Sequence, residues 1–431
     1  MPQCLLTRIC AVGCTLCFLM VPSAVGTPIA EAGTTASLGH TAVVDDVPVS
    51  WTPHVVNGKV QAIDQDGDVV VVGGNFGHLR TNDHDDVIEQ PYLFAFDRST
   101  GALRTGFRPD LDREVTSVSV RDGTVYVGGF FTTVNGEPAR GLVRLSLDDG
   151  RQVPEFADTT IDDGRVYGLA EQDGDLYVGG SFSSINGEQR QGVARLDSST
   201  GVVDPAFDLP IGQTRAGFLR VHNLALSPAG DRLLISGPFL EVDGAPRPQI
   251  AMIDTTGDEA RLSSWATDAF TAECDWSRMH TYLRQMDFAP DGSYFVVVTT
   301  GAPVDLGGLC KTASRWEVDE NPDAEPTWVN HTGGDSLYSV AVTEAAVYVG
   351  GHQRWLDNPE GDKSAGPSAV EREGIGAIHP TRGTALSWNP GRQRGHGAEE
   401  LTVTDDGLYV GSDTEWIGGR YQPRLAMFPT R

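Results

Sequence analysis

One phrase of twelve residues occurs twice in the chain and constrains its fold more than any other feature. Val-Tyr-Val-Gly-Gly-Phe-Phe-Thr-Thr-Val-Asn-Gly fills 125–136, and Leu-Tyr-Val-Gly-Gly-Ser-Phe-Ser-Ser-Ile-Asn-Gly fills 176–187. The copies are 51 residues apart and rich in strand-forming residues. A repeat of about 40 to 50 residues built from short strands is typical of a β-propeller blade. The repeat therefore predicts an all-β propeller, in which many blades form one large domain.

Each blade is expected to contain four antiparallel strands, named A to D from the inside outward. In the first copy we expect A at 115–120, a hairpin turn at Asp122-Gly123, B at 124–128, C at 141–147 and D at 152–156. The same order can be followed seven times, which predicts a seven-bladed propeller. The predicted A strands begin near Val60, Val115, Val166, Val221, Leu283, Leu337 and Glu400.

The seventh predicted blade lacks a strand D of its own after Phe428. The aromatic and proline ending of other D strands, as in Trp388-Asn389-Pro390, occurs instead at 51–53, before the first strand A. We expect this N-terminal strand to complete the last blade and close the ring. Closure of this kind removes two exposed sheet edges.

The glycine pair that ends strand B is interpreted as structural, because glycine lets two backbones approach closely. No helix follows it, as a dinucleotide-binding loop would require. The Asn-Gly-Glu of 135–137 and 186–188 recurs at equivalent positions, which indicates a structural turn.

The charge of the chain excludes one broad class of function. The formal net charge is -27 and the isoelectric point is about 4.6, whereas nucleic-acid-binding proteins concentrate lysine and arginine on one face. No nucleic-acid partner is expected. No segment after the N-terminus has the roughly 20 apolar residues that a membrane-spanning helix needs. We therefore expect no transmembrane anchor.

The N-terminus has the pattern of an export signal. Arg8 precedes an apolar run at 9–21, and Ala24-Val25-Gly26 offers small residues for cleavage. We predict a signal peptide at 1–26, an N-terminal extension at 27–46, a propeller domain at 47–431 and a secreted, monomeric protein. A lipoprotein site at Cys14 is the alternative, but the apolar run before it is short.

Four of the six cysteines lie in the predicted signal and leave with it. Cys274 and Cys310 remain, and an even pair in an exported chain predicts a disulfide. Both fall in connections that emerge on the same face of blade five. Two separate free thiols are the alternative.

Several motifs carry a resemblance to a known family. They are Val-Tyr-Val-Gly-Gly-Phe-Phe at 125–131, Asn135-Gly136, Gly-Val-Ala-Arg-Leu-Asp at 192–197, Ser-Thr-Gly at 199–201 and the segment 349–358. With them the chain resembles the delta-60 repeat β-propellers of exported actinobacterial proteins. The resemblance covers nearly the whole mature chain and implies the propeller fold. It brings no established chemistry and no cofactor.

The long connections are all predicted on one face, which receives the D-to-A and B-to-C connections and is called the insertion face here. Its longest segments are 81–90, 208–220, 266–282, 301–311, 352–374 and 391–399. The opposite face receives only short, repetitive turns. A ligand site is therefore expected on the insertion face.

Blades six and seven place polar and aromatic residues on this face. Tryptophan can stack on a sugar ring, and arginine can bind a carboxylate through two hydrogen bonds. We predict a carbohydrate or acidic-glycan site, with a structural role in holding the loops as the alternative. The candidates are His331, His352, Arg354, Trp355, Arg392, Arg394, His396, Glu399, Glu400, Glu415 and Trp416.

A metal site and a catalytic site of a known type are less favoured. The run at 83–86, Asp-His-Asp-Asp, lacks the spacing of a Ca²⁺ loop, so a solvated acidic loop is preferred and no metal is predicted. Glu399 and Glu400 are neighbours on a strand and are expected to face opposite sides. No Gly-x-Ser-x-Gly or His-Glu-x-x-His motif is present.

The combined features favour recognition of a carbohydrate or of a protein partner in the cell envelope. A glycan-acting hydrolase or lyase is the alternative, and a structural envelope protein is the third. Convergence of His352, Arg354, His396 and Glu399 in one cavity would favour the enzyme. A broad tryptophan-lined shelf would favour the binding protein.

Overall fold

Strands make up almost all of the regular structure. The computed structural model describes residues 39–81, 86–257, 259–272, 274, 280–301 and 308–431. Their one helical element is a 3-10 turn at Pro154–Phe156. In this part of the chain, no helix has the length and apolar character needed to cross a membrane.

The strands are short, and most have two to seven residues. In chain order they are β1 (His54–Val55), β2 (Val60–Asp66), β3 (Val69–Gly74), β4 (His78–Arg80), β5 (Val87–Glu89), β6 (Leu93–Asp97), β7 (Val115–Arg121), β8 (Thr124–Gly129), β9 (Thr133–Val134), β10 (Glu137–Pro138), β11 (Leu142–Ser146), β12 (Val166–Gln172), β13 (Asp175–Gly180), β14 (Ser184–Ile185), β15 (Glu188–Gln189), β16 (Val193–Asp197), β17 (Ile211–Thr214), β18 (Asn223–Leu226), β19 (Arg232–Ser236), β20 (Phe239–Val242), β21 (Ala245–Pro246), β22 (Ile250–Asp254), β23 (Arg261–Leu262), β24 (Leu283–Phe288), β25 (Tyr294–Thr299), β26 (Thr312–Glu317), β27 (Trp328–His331), β28 (Leu337–Val342), β29 (Val347–Gly351), β30 (Trp355–Leu356), β31 (Val370–Glu371), β32 (Ile375–Ile378), β33 (Ala398–Thr404), β34 (Gly407–Ser412), β35 (Trp416–Ile417), β36 (Arg420–Tyr421) and β37 (Leu425–Pro429).

The larger sheets are antiparallel and share one strand order. Their strands pair in the order of the chain, apart from the short strands that lie between the second and third strands. In the described residues they are sheet 1 (β2-β3-β6), sheet 2 (β7-β8-β11), sheet 3 (β12-β13-β16), sheet 4 (β18-β19-β22-β23), sheet 5 (β24-β25-β26-β27), sheet 6 (β28-β29-β32) and sheet 7 (β33-β34-β37). Their second strands are buried along almost their whole length, as in β8 and β13. Burial on both sides explains why these strands read as continuous apolar runs.

The prediction of four full strands in every blade is wrong. Among the described residues, only sheets 4 and 5 have a fourth strand, and in four others it is reduced to one bridge. The chain turns inward after the bridge, because the aromatic residue that follows is buried in the core. These bridges are Phe96–Leu103, Leu145–Gln152, Leu196–Val203 and Ile378–Ala385, and the buried aromatics are Phe107, Phe156, Phe207 and Trp388.

The segment before β1 lies along the last strand of sheet 7. Asp45 N donates to Pro429 O and Val49 N donates to Met427 O, both at 2.9 Å. Trp388 Nε1 also donates to Asp45 O at 2.9 Å. The N-terminal backbone therefore covers the outer edge of β37, although its residues are not assigned to a strand there.

The first strands of the seven sheets lie side by side and are called the inner strands. Side chains of the inner strands bond the backbone of a neighbouring sheet at seven places in the described residues. The bonds are Asp64 Oδ2 with Val120 N, Thr116 Oγ1 with Val166 O, Gln172 Nε2 with Pro228 O, Asn223 Nδ2 with Arg284 O, Gln285 Oε1 with Val340 N, Ser339 Oγ with Ala398 O and Thr402 Oγ1 with Ile63 O.

The glycine pairs permit this close packing. A Cβ on Gly128 would lie 2.6 Å from Val166 Cγ1 of the next sheet, and a Cβ on Gly129 would lie 2.5 Å from Glu114 O. Real Cβ atoms need more room than this. The structural interpretation of the glycine pair is therefore confirmed, since one glycine contacts the neighbouring sheet and the other its own backbone.

On the insertion face, pairs of short antiparallel strands lie between the second and third strands of most sheets. They are β4-β5, β9-β10, β14-β15, β20-β21, β30-β31 and β35-β36. Asn-Gly forms the turn in two of them, β9-β10 and β14-β15, where Asn135 and Asn186 both have φ of 54°. Each asparagine Nδ2 donates to a glycine carbonyl, Asn135 to Gly150 and Asn186 to Gly201. The asparagines thus have the structural role that the repeat predicts.

The predicted disulfide between Cys274 and Cys310 is present, with Cα atoms 5.8 Å apart. Cys274 lies before β24 and Cys310 lies between β25 and β26. Both are buried against Phe270 and Tyr282. The bond therefore joins two connections of sheet 5 on the insertion face.

Replacing Gly129 by alanine should lower the free energy of unfolding by about 1 to 3 kcal/mol, because the new methyl group would overlap Glu114 O. Urea unfolding followed by circular dichroism measures the change. Gly77→Ala is the matched control, since its nearest neighbour is 3.5 Å away. Equal midpoints for the two variants would contradict this account of the glycine pair.

Removing the disulfide with Cys274→Ala and Cys310→Ala together should lower stability by at most about 3 to 4 kcal/mol, the closure entropy of a loop with a sequence separation of 36. Thermal unfolding of the oxidised protein, the reduced protein and the double variant tests it. Reduction should move the wild type to the midpoint of the variant. Two reactive thiols in the unreduced protein would overturn the assignment.

Candidate functional site

The inner strands share a β-bulge near their first residue. The register shifts after that residue in six of the seven large sheets of the described chain. A bulge redirects a side chain, and bulges are common beside functional sites. The bulged residues are Gln61, Thr116, Tyr167, Arg284, Tyr338 and Glu399, and His222 holds the matching position just before β18.

Several of these side chains contact one another across neighbouring sheets. Tyr167 stacks on His222 with ring centroids 5.6 Å apart, and the Arg284 guanidinium lies 5.6 Å from the centre of the Tyr338 ring. Tyr338 in turn stacks on His396, at 5.0 Å and with nearly parallel rings. An aromatic and basic row therefore runs along the ends of the inner strands of sheets 3 to 7.

Glu399 lies at the end of this row, and two neighbouring side chains compensate its negative charge. Its Oε1 accepts a hydrogen bond from His396 Nδ1 at 2.5 Å and pairs with Lys59 Nζ at 3.3 Å. Burial alone would raise the pKa of Glu399, but the hydrogen bond from His396 and the charge of Lys59 hold it below its ordinary value. Glu399 is therefore an anion already engaged by two partners.

Glu400 lies in a different environment from Glu399. It is held by Gln285 Nε2 and Thr402 Oγ1, each at 3.2 Å. Burial raises the pKa of Glu400 to about 8, and the charges of Asp287 and Asp64 add to this. Burial likewise raises the pKa of Asp287 to about 7 and of Asp64 to about 6. The inner strands thus hold three carboxyl groups that are readily protonated near neutral pH.

The two neighbouring glutamates do not face opposite sides, contrary to the sequence prediction. The bulge between Ala398 and Glu400 breaks the alternation, so both side chains contact residues beyond their own sheet. Glu399 reaches Lys59, before β2, and Glu400 reaches Gln285 in β24. β33 also begins two residues before the predicted start of this strand.

Asp335 binds the side chains of two of the predicted site residues. It is buried and accepts hydrogen bonds from Arg354 Nε at 2.8 Å and Arg354 N at 3.2 Å. Arg394 Nη2 pairs with the same carboxylate at 3.4 Å and donates to His352 O at 3.0 Å. Two predicted site arginines are therefore paired to one aspartate that joins the connections around sheets 6 and 7.

Two more of the predicted site residues, His352 and Trp355, also have partners within the chain. The Arg354 guanidinium lies 4.2 Å from the Trp355 ring centre, and His352 Nδ1 donates to Gly395 O at 2.8 Å. His331 is at the end of β27, and burial lowers its pKa. Within the described chain its ring bonds none of the other candidates.

Arg392 is a structural residue. It is 3% exposed and donates to Gly351 O at 2.8 Å, Arg394 O at 2.6 Å and Thr414 Oγ1 at 2.7 Å. Burial lowers its pKa to about 10, with Asp413 acting in the opposite direction. These bonds tie the connection before β33 to sheets 6 and 7.

Trp416 belongs to an exposed aromatic group on the hairpin β35-β36. Trp416 is 47% and Tyr421 is 41% exposed, with ring centroids 5.6 Å apart. The His54 ring contacts the other side of Tyr421 at 5.5 Å. Glu415 is nearby and pairs with Arg424 at 3.7 Å. Exposed rings of this kind offer stacking surfaces.

An open cleft of about 500 Å³ adjoins Trp416. Polar and apolar groups line it in similar amounts, and Trp416 is one of the lining residues. The lining residues include Glu373, Pro390, Arg392, Gln393, Arg394 and Trp416.

The structure separates the predicted candidates into distinct groups. His396 and Glu399 join the aromatic row, Arg354 and Arg394 join Asp335, and Trp416 lies at the cleft. The sequence prediction missed Asp335, Tyr338, Arg284 and Lys59. Arg284 and Tyr338 immediately follow the first residue of their strands, so aligning that position across the repeats would have found them.

The described residues contain no group of three or more histidine, cysteine, aspartate or glutamate side chains placed to hold a metal ion. The acidic run at 83–86 falls largely outside the described residues, so its predicted role as a solvated loop stays a prediction.

The chain matches one family model, described as a β-propeller domain of unknown function (DUF5122), over residues 121–150 and 171–207. These segments contain the repeated phrase. A search of curated proteins gave no match.

Solved structures give similar folds at low identity. The β-propeller domain of Myceliophteria thermophila Cps50 (Swd1) is 11% identical, with a TM-score of 0.50 over 89% of this chain and all of that one. The WD40 β-propeller domain of Doa1 is 12% identical over 85% of this chain and 93% of its own, with a TM-score of 0.46. The computationally designed Ika8 protein is 14% identical over 90% and 99%, also with a TM-score of 0.46. The family match and the first structure identify an all-β chain of propeller type.

Glu400→Gln should reduce the pH dependence of stability. The pKa rises from 4.5 to about 8 on folding, so the folded state holds an additional proton between these values. Stability contributed by this proton is complete below pH 4.5 and is lost as the pH rises through 8. At pH 8 the variant should be more stable than wild type by about 1 to 3 kcal/mol, since partial solvent contact reduces the full effect.

Urea unfolding between pH 5 and pH 8 measures this difference. The exposed Glu155→Gln is the matched control and should keep the wild-type slope. Asp64 and Asp287 should leave a smaller residual slope in Glu400→Gln. Parallel pH profiles for the wild type and Glu400→Gln would show that Glu400 is ionised throughout.

Proposed function

We propose that this protein is an exported recognition module that binds a carbohydrate on its insertion face. The observation that carries the proposal is the exposed pair Trp416 and Tyr421 beside an open cleft. Propeller folds host many unrelated activities, so the fold alone does not select this function.

The proposal includes a closed, seven-bladed ring. Supporting it are the seven sheets, the bonds between successive inner strands and the bond from Thr402 Oγ1 of sheet 7 to Ile63 O of sheet 1. The backbone bonds from Asp45 and Val49 to β37 support the N-terminal segment as the fourth strand of the last blade.

The proposal also includes export and a monomeric state. Residues 1–26 would be the signal, 27–46 the extension and 47–431 the propeller, within a delta-60 repeat family of actinobacteria. The disulfide supports an oxidising compartment, because such bonds persist mainly outside the cytoplasm.

Carbohydrate is favoured as the ligand for a chemical reason. Aromatic rings stack on the apolar face of a sugar, and polar groups at the edge of the ring bond its hydroxyls. Trp416 offers the ring, and Gln393 and Glu373 offer amide and carboxylate groups in the same cleft. A protein partner in the cell envelope would use the same surface over a larger area.

A glycan-acting hydrolase or lyase is the second candidate. Its supporting observation is the divergence of two adjacent carboxyls: the pKa of Glu399 is lowered and that of Glu400 is raised to about 8. An anion beside a protonated acid is the pairing that acid–base catalysis uses. Glu399 is engaged by Lys59 and His396, however, so binding is favoured over turnover.

Binding of the full chain to a glycan array tests the function. Trp416→Ala and Tyr421→Ala should each weaken binding to the selected glycan about five- to a hundredfold, the range expected for losing an aromatic contact worth 1 to 3 kcal/mol. The exposed Val202→Ala is a control away from the aromatic pair and should bind as the wild type does.

Two results would reject the carbohydrate proposal. One is the absence of binding to every glycan, and the other is equal binding by wild type and both aromatic variants. Incubating bound glycans with the protein and analysing them by mass spectrometry tests turnover. Cleavage that Glu400→Gln abolishes would replace the binding proposal by the enzyme.

A further inference from the structure

Three arginines on the insertion face differ from the other charged residues there, although the chain has a net charge of -27. Each lies over an aromatic ring: Arg165 over Phe130 at 4.3 Å, Arg220 over Phe218 at 4.7 Å and Arg284 over Tyr338 at 5.6 Å. In the described chain none of the three forms an ion pair with an acidic side chain. Their positive charges are therefore not neutralised as those of Arg354 and Arg394 are by Asp335.

Arg284 is the most isolated of them. Its Nε is buried and has no hydrogen-bond partner, and no described residue accepts a hydrogen bond from its other guanidinium nitrogens. Burial lowers the pKa of Arg284, while the charge of Glu399 acts in the opposite direction. That carboxylate is already bound by Lys59 and His396, so it does not pair with Arg284.

Arg220 and His222 add further basic groups at the same place. Burial lowers the pKa of His222 to about 3, and the charges of Arg284 and Arg220 lower it further. The pKa of Arg220 is also lowered, by burial and then by the charge of Arg284, with Tyr167 opposing the change. Asn223 Nδ2 lies 3.1 Å from His222 Nδ1 and also bonds Arg284 O, so His222 and Arg284 occupy adjacent positions on the inner strands of sheets 4 and 5, with Arg220 two residues before His222.

Such an arrangement costs free energy in the absence of a ligand. A buried guanidinium nitrogen without a hydrogen-bond partner is destabilising. Guanidinium groups match oxyanions in charge and in geometry, and they can donate two parallel hydrogen bonds to a carboxylate, sulfate or phosphate. An oxyanion bound here would supply the acceptor that Arg284 lacks.

We propose that Arg220 and Arg284, with His222 near both, form an oxyanion-binding site at the ends of the inner strands of sheets 3 to 6. Tyr167 and Tyr338 form aromatic walls, and neither hydroxyl bonds a described residue. Both arginines are partly accessible to solvent, and Phe218 beside Arg220 is 56% exposed. The site is separate from the cleft beside Trp416, so it extends the proposed function and does not depend on it.

Isothermal titration of the full chain with sodium sulfate, sodium phosphate and sodium D-glucuronate tests the site, with sodium chloride at equal ionic strength as the reference. At least one of the three oxyanions should bind. Sulfate or phosphate binding identifies a free tetrahedral ion as the ligand, and glucuronate binding identifies the carboxylate of an acidic sugar. Arg284→Gln should weaken binding about ten- to a hundredfold, the expected effect of losing a charged hydrogen bond.

Two further variants separate binding from a structural role. Arg220→Gln should also weaken binding, whereas Arg144→Gln should not, since Arg144 lies in β11, the third strand of sheet 2, and is not part of the row on the inner strands. Without ligand, Arg284→Gln should unfold at the wild-type temperature or above it, because an unpaired charge is removed. A purely structural arginine would show a lower unfolding temperature.

The proposal is overturned if none of the three oxyanions binds the wild type, or if Arg284→Gln and Arg220→Gln bind them as the wild type does. Sulfate and phosphate also stabilise proteins nonspecifically, so a thermal shift shared by all variants counts against the site. The outcome is independent of the glycan array. Sulfate binding with no glycan bound would retain this site and reject the carbohydrate function.

Discussion

The contact between adjacent inner strands is the constraint on which the rest of the structure depends. Gly128 leaves room for Val166 of the next sheet, and Gly129 leaves room for the backbone at Glu114. Side chains such as Thr116 and Gln285 then bond the backbone of the neighbouring sheet. Because each sheet buries its apolar second strand between two neighbours, a single sheet could not remain folded in water.

That packing also determines where the functional groups lie. The bulge at the beginning of the inner strands brings Arg284 and Tyr338 together, although they are far apart in sequence. The charged residues on the insertion face fall into two groups, which differ in whether they have an acidic partner. Arg354 and Arg394 pair with Asp335 and hold connections together, whereas Arg220 and Arg284 pair with no acidic side chain in the part of the chain that the structure describes.

The packing of the inner strands also affects the charge of their acidic residues. Glu400, Asp287 and Asp64 have raised pKa values, mainly because burial disfavours their charged forms. Three readily protonated acids reduce the negative charge within the fold of a strongly acidic protein.

The sequence by itself determined the repeat, the structural glycines, the Asn-Gly turns and the pairing of Cys274 with Cys310. These depend on local backbone geometry or on there being one partner available. It did not reveal the reduced fourth strands, the bulge that turns Glu399 and Glu400 to the same side, or the role of Asp335. Only the tertiary structure decided these, because a bulge is defined by the partner strand and an ion pair by residues that separate sheets bring together.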